Sequence, residues 1–206
     1  MTRPPSLLQQ AHSILQTHIQ RGDIVVDATA GNGHDTLFLA QQIAPSGLVY
    51  SFDIQAAAIN ATRNRLIAAD LLISVCLIEN SHAKMRHYIA PLHHGKIAAI
   101  MFNLGYLPRG DKTIITQTDS TLLALNAAVK LLSQNGIITI LAYPGHSGGD
   151  TETTQVENWC QKLAAEQFSV KVIYSPEHKD TAPRLLVVQK IGWIANAREL
   201  CILQSV

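Results

Sequence analysis

With 206 residues, 47% of them hydrophobic, the chain is long enough to bury a substantial core and has the size of one α/β domain over residues 1–206. Sixteen Lys and Arg stand against 15 Asp and Glu, a net charge of +1, which argues against a broad, sequence-independent grip on a phosphate backbone but leaves room for a local RNA contact. No apolar run approaches the ~20 residues that cross a bilayer, and the start Met1-Thr2-Arg3-Pro4-Pro5-Ser6 leads into Gln9, Gln10 and His12 rather than a secretory core, so a soluble, cytoplasmic protein with no membrane partner is expected.

Cys76, Cys160 and Cys201 are odd in number and scattered, which suits neither a zinc site nor a disulfide framework. The nine histidines include no His-x-x-x-His pair with a supporting acid, and no metal is expected.

Residues 6–20 place Leu7, Leu8, Ala11, Ile14, Leu15, His18 and Ile19 on one helical face, with Gly22 as the stop. This helix is expected to cover the sheet edge or a cofactor. Residues 24–26 are β-branched and continuously apolar, as a parallel strand covered on both faces requires, and residues 36–40 open a helix that Pro45 closes. Gly31 and Gly33 therefore fall at a strand-to-helix corner, where they free the backbone and remove side chains that would keep a ligand off it.

The next apolar run, residues 48–52, ends at Asp53, about 20 positions past the glycine corner, where a carboxylate can accept both hydroxyls of a ribose. A nucleoside is indicated, but not a dinucleotide. The corner lacks the third glycine of the pyrophosphate fingerprint, and Asp27 puts negative charge where a pyrophosphate would lie. A carboxylate there suits a cation such as the sulfonium and amino group of S-adenosylmethionine; a cap of the turn or helix is the other use of an Asp at this point.

Residues 56–69 form an alanine-rich helical stretch, Asp70 turns the chain, and residues 71–78 read as a third strand. Asn80, Ser81 and His82 follow it and can meet an adenine edge, with Ile54 against the ring face; Ser81 serves equally as a helix cap. A short helix over 82–89, a loop at 91–95 and a strand over 97–102 come next. Residues 118–133 carry Leu122, Leu125, Val129 and Leu132 at helical spacing, and Asn135-Gly136 separates them from a strand over 137–142.

Val156, Trp159 and Leu163 mark another helix. The runs 169–174 and 184–189 are joined without a helix, so they are expected to pair antiparallel, because a parallel return needs a crossover of a dozen or more residues. Trp193, Leu200, Ile202 and Leu203 make residues 191–206 too apolar for a free tail and suited to folding back or joining a neighbouring subunit in a homodimer. The alternation predicts a Rossmann-like, doubly wound α/β fold, a seven-stranded sheet mostly parallel with an antiparallel C-terminal edge strand and helices on both faces. Loops after residues 28, 53, 78, 102 and 142 then surround one crevice at the carboxyl ends of the strands.

Three motifs in this order resemble the class I S-adenosylmethionine-dependent methyltransferases. More narrowly, Asp27-Ala28-Thr29-Ala30-Gly31-Asn32-Gly33-His34-Asp35-Thr36, Phe102-Asn103-Leu104-Gly105-Tyr106-Leu107-Pro108 and Tyr143-Pro144-Gly145-His146 followed by Gly148-Gly149 look like the family first labelled putative rRNA methylases, with the resemblance spanning residues 6–190. The resemblance implies an S-adenosylmethionine site built from Asp27, Thr29, Gly31, Asn32, Gly33, Asp35, Thr36, Asp53, Ile54, Ser81, His82 and Asn103. It also implies a substrate, because characterised bacterial members methylate 5-aminomethyl-2-thiouridine at the tRNA wobble position, which makes the anticodon region of tRNA the expected partner.

The residues at the fourth strand end suit that chemistry. An acceptor nitrogen must aim its lone pair along the S-to-methyl bond, and the Asn103 side-chain oxygen and Leu104 carbonyl can hold its hydrogens in that pose while Tyr106 stacks on the base. A primary alkylamine is mostly protonated at neutral pH, so a proton acceptor or a desolvated pocket is needed. His146 is the candidate acceptor, with Tyr106 as the second; a positioning role suits His146 as well. Lys84, Arg86, Arg109 and Lys112 are candidates for phosphate contacts or simply for a solvated basic surface. The alternatives are an rRNA or small-molecule methyltransferase on the same fold, or a non-catalytic nucleotide- or RNA-binding module.

Overall fold

Ser6 begins the first helix with a reciprocal cap: its hydroxyl takes the N–H of Gln9 at 3.2 Å while the Gln9 side chain takes the N–H of Ser6 at 2.8 Å. The computed structural model describes residues 4–107, 114–145, 148–176 and 179–191. In chain order these form α1 (Leu7–His18), β1 (Ile24–Asp27), α2 (His34–Ile43), β2 (Leu48–Asp53), α3 (Ala56–Ala68), β3 (Val75–Glu79), α4 (Met85–Tyr88), β4 (Ile97–Asn103), α5 (Thr118–Leu131), β5 (Leu132–Ala142), α6 (Gly149–Gln161), β6 (Phe168–Tyr174) and β7 (Arg184–Lys190). Among the described residues no helix is long and apolar enough to cross a membrane.

The seven strands form one sheet in the order β3-β2-β1-β4-β5-β7-β6. The first five are parallel, and β7 pairs antiparallel with both β5 and β6. The hairpin partner β6 thus takes the outer edge and β7 lies inside it. Composition explains the arrangement: Leu185, Leu186, Val187 and Val188 are buried, whereas Ser169 and Lys171 of β6 stay exposed.

Alternate residues along each strand feed opposite faces, which is why the sheet needs helices on both. Val26, Phe52, Ile100 and Phe102 join Met85, Leu125, Ala128 and Val156 on the face of α4, α5 and α6. Val25, Val49, Met101 and Leu141 join Ala11, Leu15, Leu39 and Leu66 on the face of α1, α2 and α3. Phe52 and Phe102 are fully buried, and truncating either to Ala would cost about 3–5 kcal/mol.

Two boundaries differ from the sequence reading. The fifth strand starts at Leu132, so Asn135-Gly136 lies within it rather than before it. Asn135 adopts φ 64° and a Cβ on Gly136 would approach the Ile97 carbonyl oxygen to 2.9 Å, so the pair makes a bulge where the β4–β5 register shifts between Ile97 and Ala99. The third strand is shorter than expected, because residues 72–74 wind into a 3-10 turn before it.

Candidate active site

The strand order reverses between β1 and β4, and the crevice opens at that switch point. A cavity of about 790 Å³ lies there, lined by residues from the loops after β1, β2, β3, β4 and β5. Its volume is that of a site for a nucleoside-sized ligand.

The glycine corner is built from below by Asp27. Its carboxylate is fully buried, accepts the Thr29 N–H at 3.0 Å and the Thr36 hydroxyl at 2.5 Å, and does not line the cavity. Burial, followed by the negative charge of Asp35, pushes its carboxyl up to about 7. The side chain thus clamps the turn, the capping use open to an Asp at this position, and Thr36 is likewise buried beneath the corner.

The two glycines have separate tasks. Gly31 (φ 52°) lines the cavity, and a Cβ there would meet nothing closer than Leu107 Cδ1 at 3.5 Å. Gly33 (φ 78°) faces inward instead: a Cβ would lie 2.7 Å from Thr62 Cα, so its bareness lets α2 and α3 close together.

On the β2 side, Asp53 accepts the Gly31 N–H on Oδ2 and the Gln55 N–H on Oδ1, both at 2.9 Å. Each oxygen keeps a lone pair for a ligand hydroxyl. Ile54, 56% exposed, stands at the rim. After β3, the Ser81 hydroxyl caps the next turn by taking the Ala83 N–H at 3.2 Å. His82 is buried and donates from Nδ1 to the Ala28 carbonyl at 3.1 Å; its Nε2 has no hydrogen-bond partner among the described residues. Burial holds the ring below the usual histidine range, so it stays neutral with an acceptor at Nε2.

The opposite wall starts at the end of β4. The Asn103 N–H donates to Thr29 Oγ1 at 2.8 Å, and its side-chain Nδ2 donates to Asp35 Oδ2 at 3.3 Å. Asp35, in the first turn of α2, also takes His12 Nε2 on Oδ1 at 2.8 Å. Tyr106 is 41% exposed and bridges to Ile115. Tyr143 and Gly145 bring the loop after β5 to the cavity, and burial reinforced by the charge of Asp35 raises the Tyr143 phenol to about 12.

The structure thus gathers Thr29, Gly31, Asn32, Asp35, Asp53, Ile54, Ser81, His82, Asn103 and Tyr106 around one cavity and places Asp27, Gly33 and Thr36 behind its wall. His146, Arg109, Lys112 and the apolar residues of 192–206 lie outside the described residues. Lys84 and Arg86 are exposed on the surface beside α4, away from the cavity lining. Among the described residues no cluster of His, Cys, Asp or Glu could hold a metal.

Sequence reasoning placed α1 over the sheet edge or a cofactor, but did not reach the contacts of its individual residues. Leu8 lines the cavity and His12 reaches Asp35 with its ring stacked on Phe38, centroids 4.0 Å apart. The amphipathic stripe of residues 6–20 carried the only hint.

The family described as "Putative rRNA methylase" matches residues 49–189. A chloroplastic tRNA (mnm(5)s(2)U34)-methyltransferase of Arabidopsis thaliana is 39% identical over 155 residues, 71% of this chain; the chain spans 56% of that protein's length. A solved structure described as a putative rRNA methylase from Clostridium thermocellum superposes with a TM-score of 0.87 at 37% identity, covering 92% of this chain and all of that one. A solved structure described as a putative methyltransferase from Streptococcus mutans, in complex with S-adenosylhomocysteine (SAH), gives a TM-score of 0.80 at 33% identity over 93% of this chain and all of that one. By sequence and by architecture, the chain belongs to the putative rRNA methylase family of class I S-adenosylmethionine-dependent methyltransferases.

Proposed function

We propose that the protein methylates the aminomethyl group of 5-aminomethyl-(2-thio)uridine at the wobble position of tRNA, using S-adenosylmethionine. The observation that carries this reading is the convergence on one cavity of a ribose-competent carboxylate, Asp53, and an amide-bearing strand end, Asn103. The tRNA substrate named for the plant relative supports the choice of acceptor.

The donor set fits the cofactor. The bare face of Gly31, the free lone pairs of Asp53, the apolar surface of Ile54 and the unpartnered Nε2 of His82 offer contacts for a backbone-hugging chain, a ribose, an adenine face and an amino hydrogen respectively. Asp35 lines the cavity and so takes the cation-facing role first considered for Asp27. When bound, S-adenosylmethionine supplies an electrophilic methyl group on a sulfonium.

Asn103 Oδ1 holds a hydrogen of the acceptor amine and Tyr106 receives the base ring, so the nitrogen lone pair is aimed rather than left to tumble. The apolar wall of Leu104, Leu107 and Ile115 excludes water and favours the neutral amine. We assign the released proton to His146, which follows the cavity-lining Tyr143 and Gly145 in the chain.

The test is mass spectrometry of nucleosides from hypomodified tRNA incubated with the protein and labelled methyl donor. A labelled methyl group on 5-aminomethyl-2-thiouridine is expected. SAH formation with ribosomal RNA and none with tRNA would overturn the substrate.

A further inference from the structure

Glu152 stands in the first turn of α6, is 3% exposed, does not line the cavity and has no cationic partner among the described residues. Its two oxygens each take one hydroxyl, Oε2 from Thr116 at 2.7 Å and Oε1 from Thr121 of α5 at 2.6 Å. A carboxylate only accepts, so both hydroxyl hydrogens are drawn to it and the lone pairs of Thr116 Oγ1 face elsewhere. One of them takes the Gly105 N–H at 2.9 Å.

The same two residues are joined a second time, because the Thr116 N–H donates to the Gly105 carbonyl at 2.8 Å. One position outward, Tyr106 and Ile115 form an antiparallel bridge. Residues 105–106 and 115–116 are therefore paired side by side, and this short ribbon forms a wall of the cavity. Gly105 sits at φ 122°, a conformation open to glycine that other residues rarely adopt, and the ribbon also has a hold from outside itself. Glu152 provides it from α6, the helix that starts directly after the loop following β5.

We propose that Glu152 is a positioning residue for the acceptor nucleotide: through Thr116 it fixes the ribbon that presents Tyr106, and it has no part in holding the cofactor. This rests on the reading in which Tyr106 faces the acceptor base. Leaving a carboxylate in the interior is costly unless its hydrogen bonds are complete. Its partners here lead to the acceptor wall and not to Asp53 or Gly31.

Three variants test it: Glu152→Ala, Glu152→Gln and Thr116→Val. In methyl transfer to hypomodified tRNA, Glu152→Ala is expected to raise KM for tRNA about tenfold or more, with calorimetric affinity for S-adenosylmethionine within about twofold. Glu152→Gln should recover part of that loss, because its amide oxygen still accepts one hydroxyl. Hydrogen exchange at the Gly105 and Thr116 amides should accelerate in Glu152→Ala and in Thr116→Val, while amides of β1 and β2 stay protected.

An unchanged KM for tRNA, a parallel loss of cofactor affinity, or unchanged exchange at Gly105 would overturn the proposal. If the wild-type protein leaves tRNA unmodified, the substrate reading falls, and the exchange measurement still decides whether Glu152 holds the ribbon.

Discussion

Asn103 donates its side-chain Nδ2 to Asp35 Oδ2 at 3.3 Å, and that contact fixes which end of the amide is left for a substrate. Because a carboxylate cannot donate, the amide cannot be turned over without putting two acceptors face to face. Oδ1 therefore remains as the acceptor. Asp35 is itself held by His12 at 2.8 Å, whose ring lies within 6° of parallel to Phe38. Three elements, α1, α2 and β4, thus set the orientation of one side chain. Asn103→Ala should lower single-turnover methyl transfer about 10²-fold or more while cofactor affinity changes by less than about threefold. Equal turnover in the variant would place the acceptor site elsewhere.

Asp53 holds the glycine corner and, in the proposed function, also the ribose of the cofactor. Asp53→Ala should weaken S-adenosylmethionine binding by about 10–100-fold, the loss expected when charge-assisted hydrogen bonds worth about 1.5–3 kcal/mol are removed. Calorimetric titration is the check. Retained affinity would show that the ribose is held by other groups.

Gly33→Ala and Gly31→Ala should separate folding from binding. At Gly33 a Cβ meets Thr62 Cα at 2.7 Å and the backbone is left-handed, so a loss of about 2–4 kcal/mol and a fall in Tm of roughly 4–15 °C are expected. At Gly31 the nearest atom lies at 3.5 Å, so the cost of folding should stay near the ~1–2 kcal/mol of a left-handed alanine while cofactor affinity falls. Thermal melts with and without S-adenosylmethionine distinguish the two.

Asp27 makes a prediction about pH. Its folded carboxyl is raised from 3.8 to about 7, mainly by burial, so between those values the native state binds a proton that the unfolded chain has lost. Stability from this group is complete below about pH 4 and is lost as the pH rises through 7. Asp27→Asn, which cannot ionise, should gain stability relative to wild type as the pH rises from 4 to 7.5, read as the difference in denaturation midpoint. A difference that is flat with pH would show that Asp27 is ionised in the folded protein throughout.

The strands, the helices and the crevice were legible in the sequence because their signals are local. Runs such as residues 24–26 and 48–52 declare buried parallel strands, the stripe of residues 6–20 declares a helix face, and the strand end at Asp53 brings a carboxylate beside the glycine corner. What the tertiary structure alone decided is which polar group meets which. Asp27 and Asp35 are both acids at the same corner. One lies under the turn with Thr29 and Thr36; the other, eight residues on, meets His12 and Asn103 at separations of 23 and 68 residues. Nothing in the sequence singles out Glu152, and it is buried against Thr116 and Thr121 because α5 and α6 pack together over the sheet. Likewise β7 entered the sheet inside β6 because the cross-strand partner is chosen by burial of a whole face. Periodicity reports which side of an element is dry, but hydrogen-bond partners are fixed by distances that exist only once the elements are assembled.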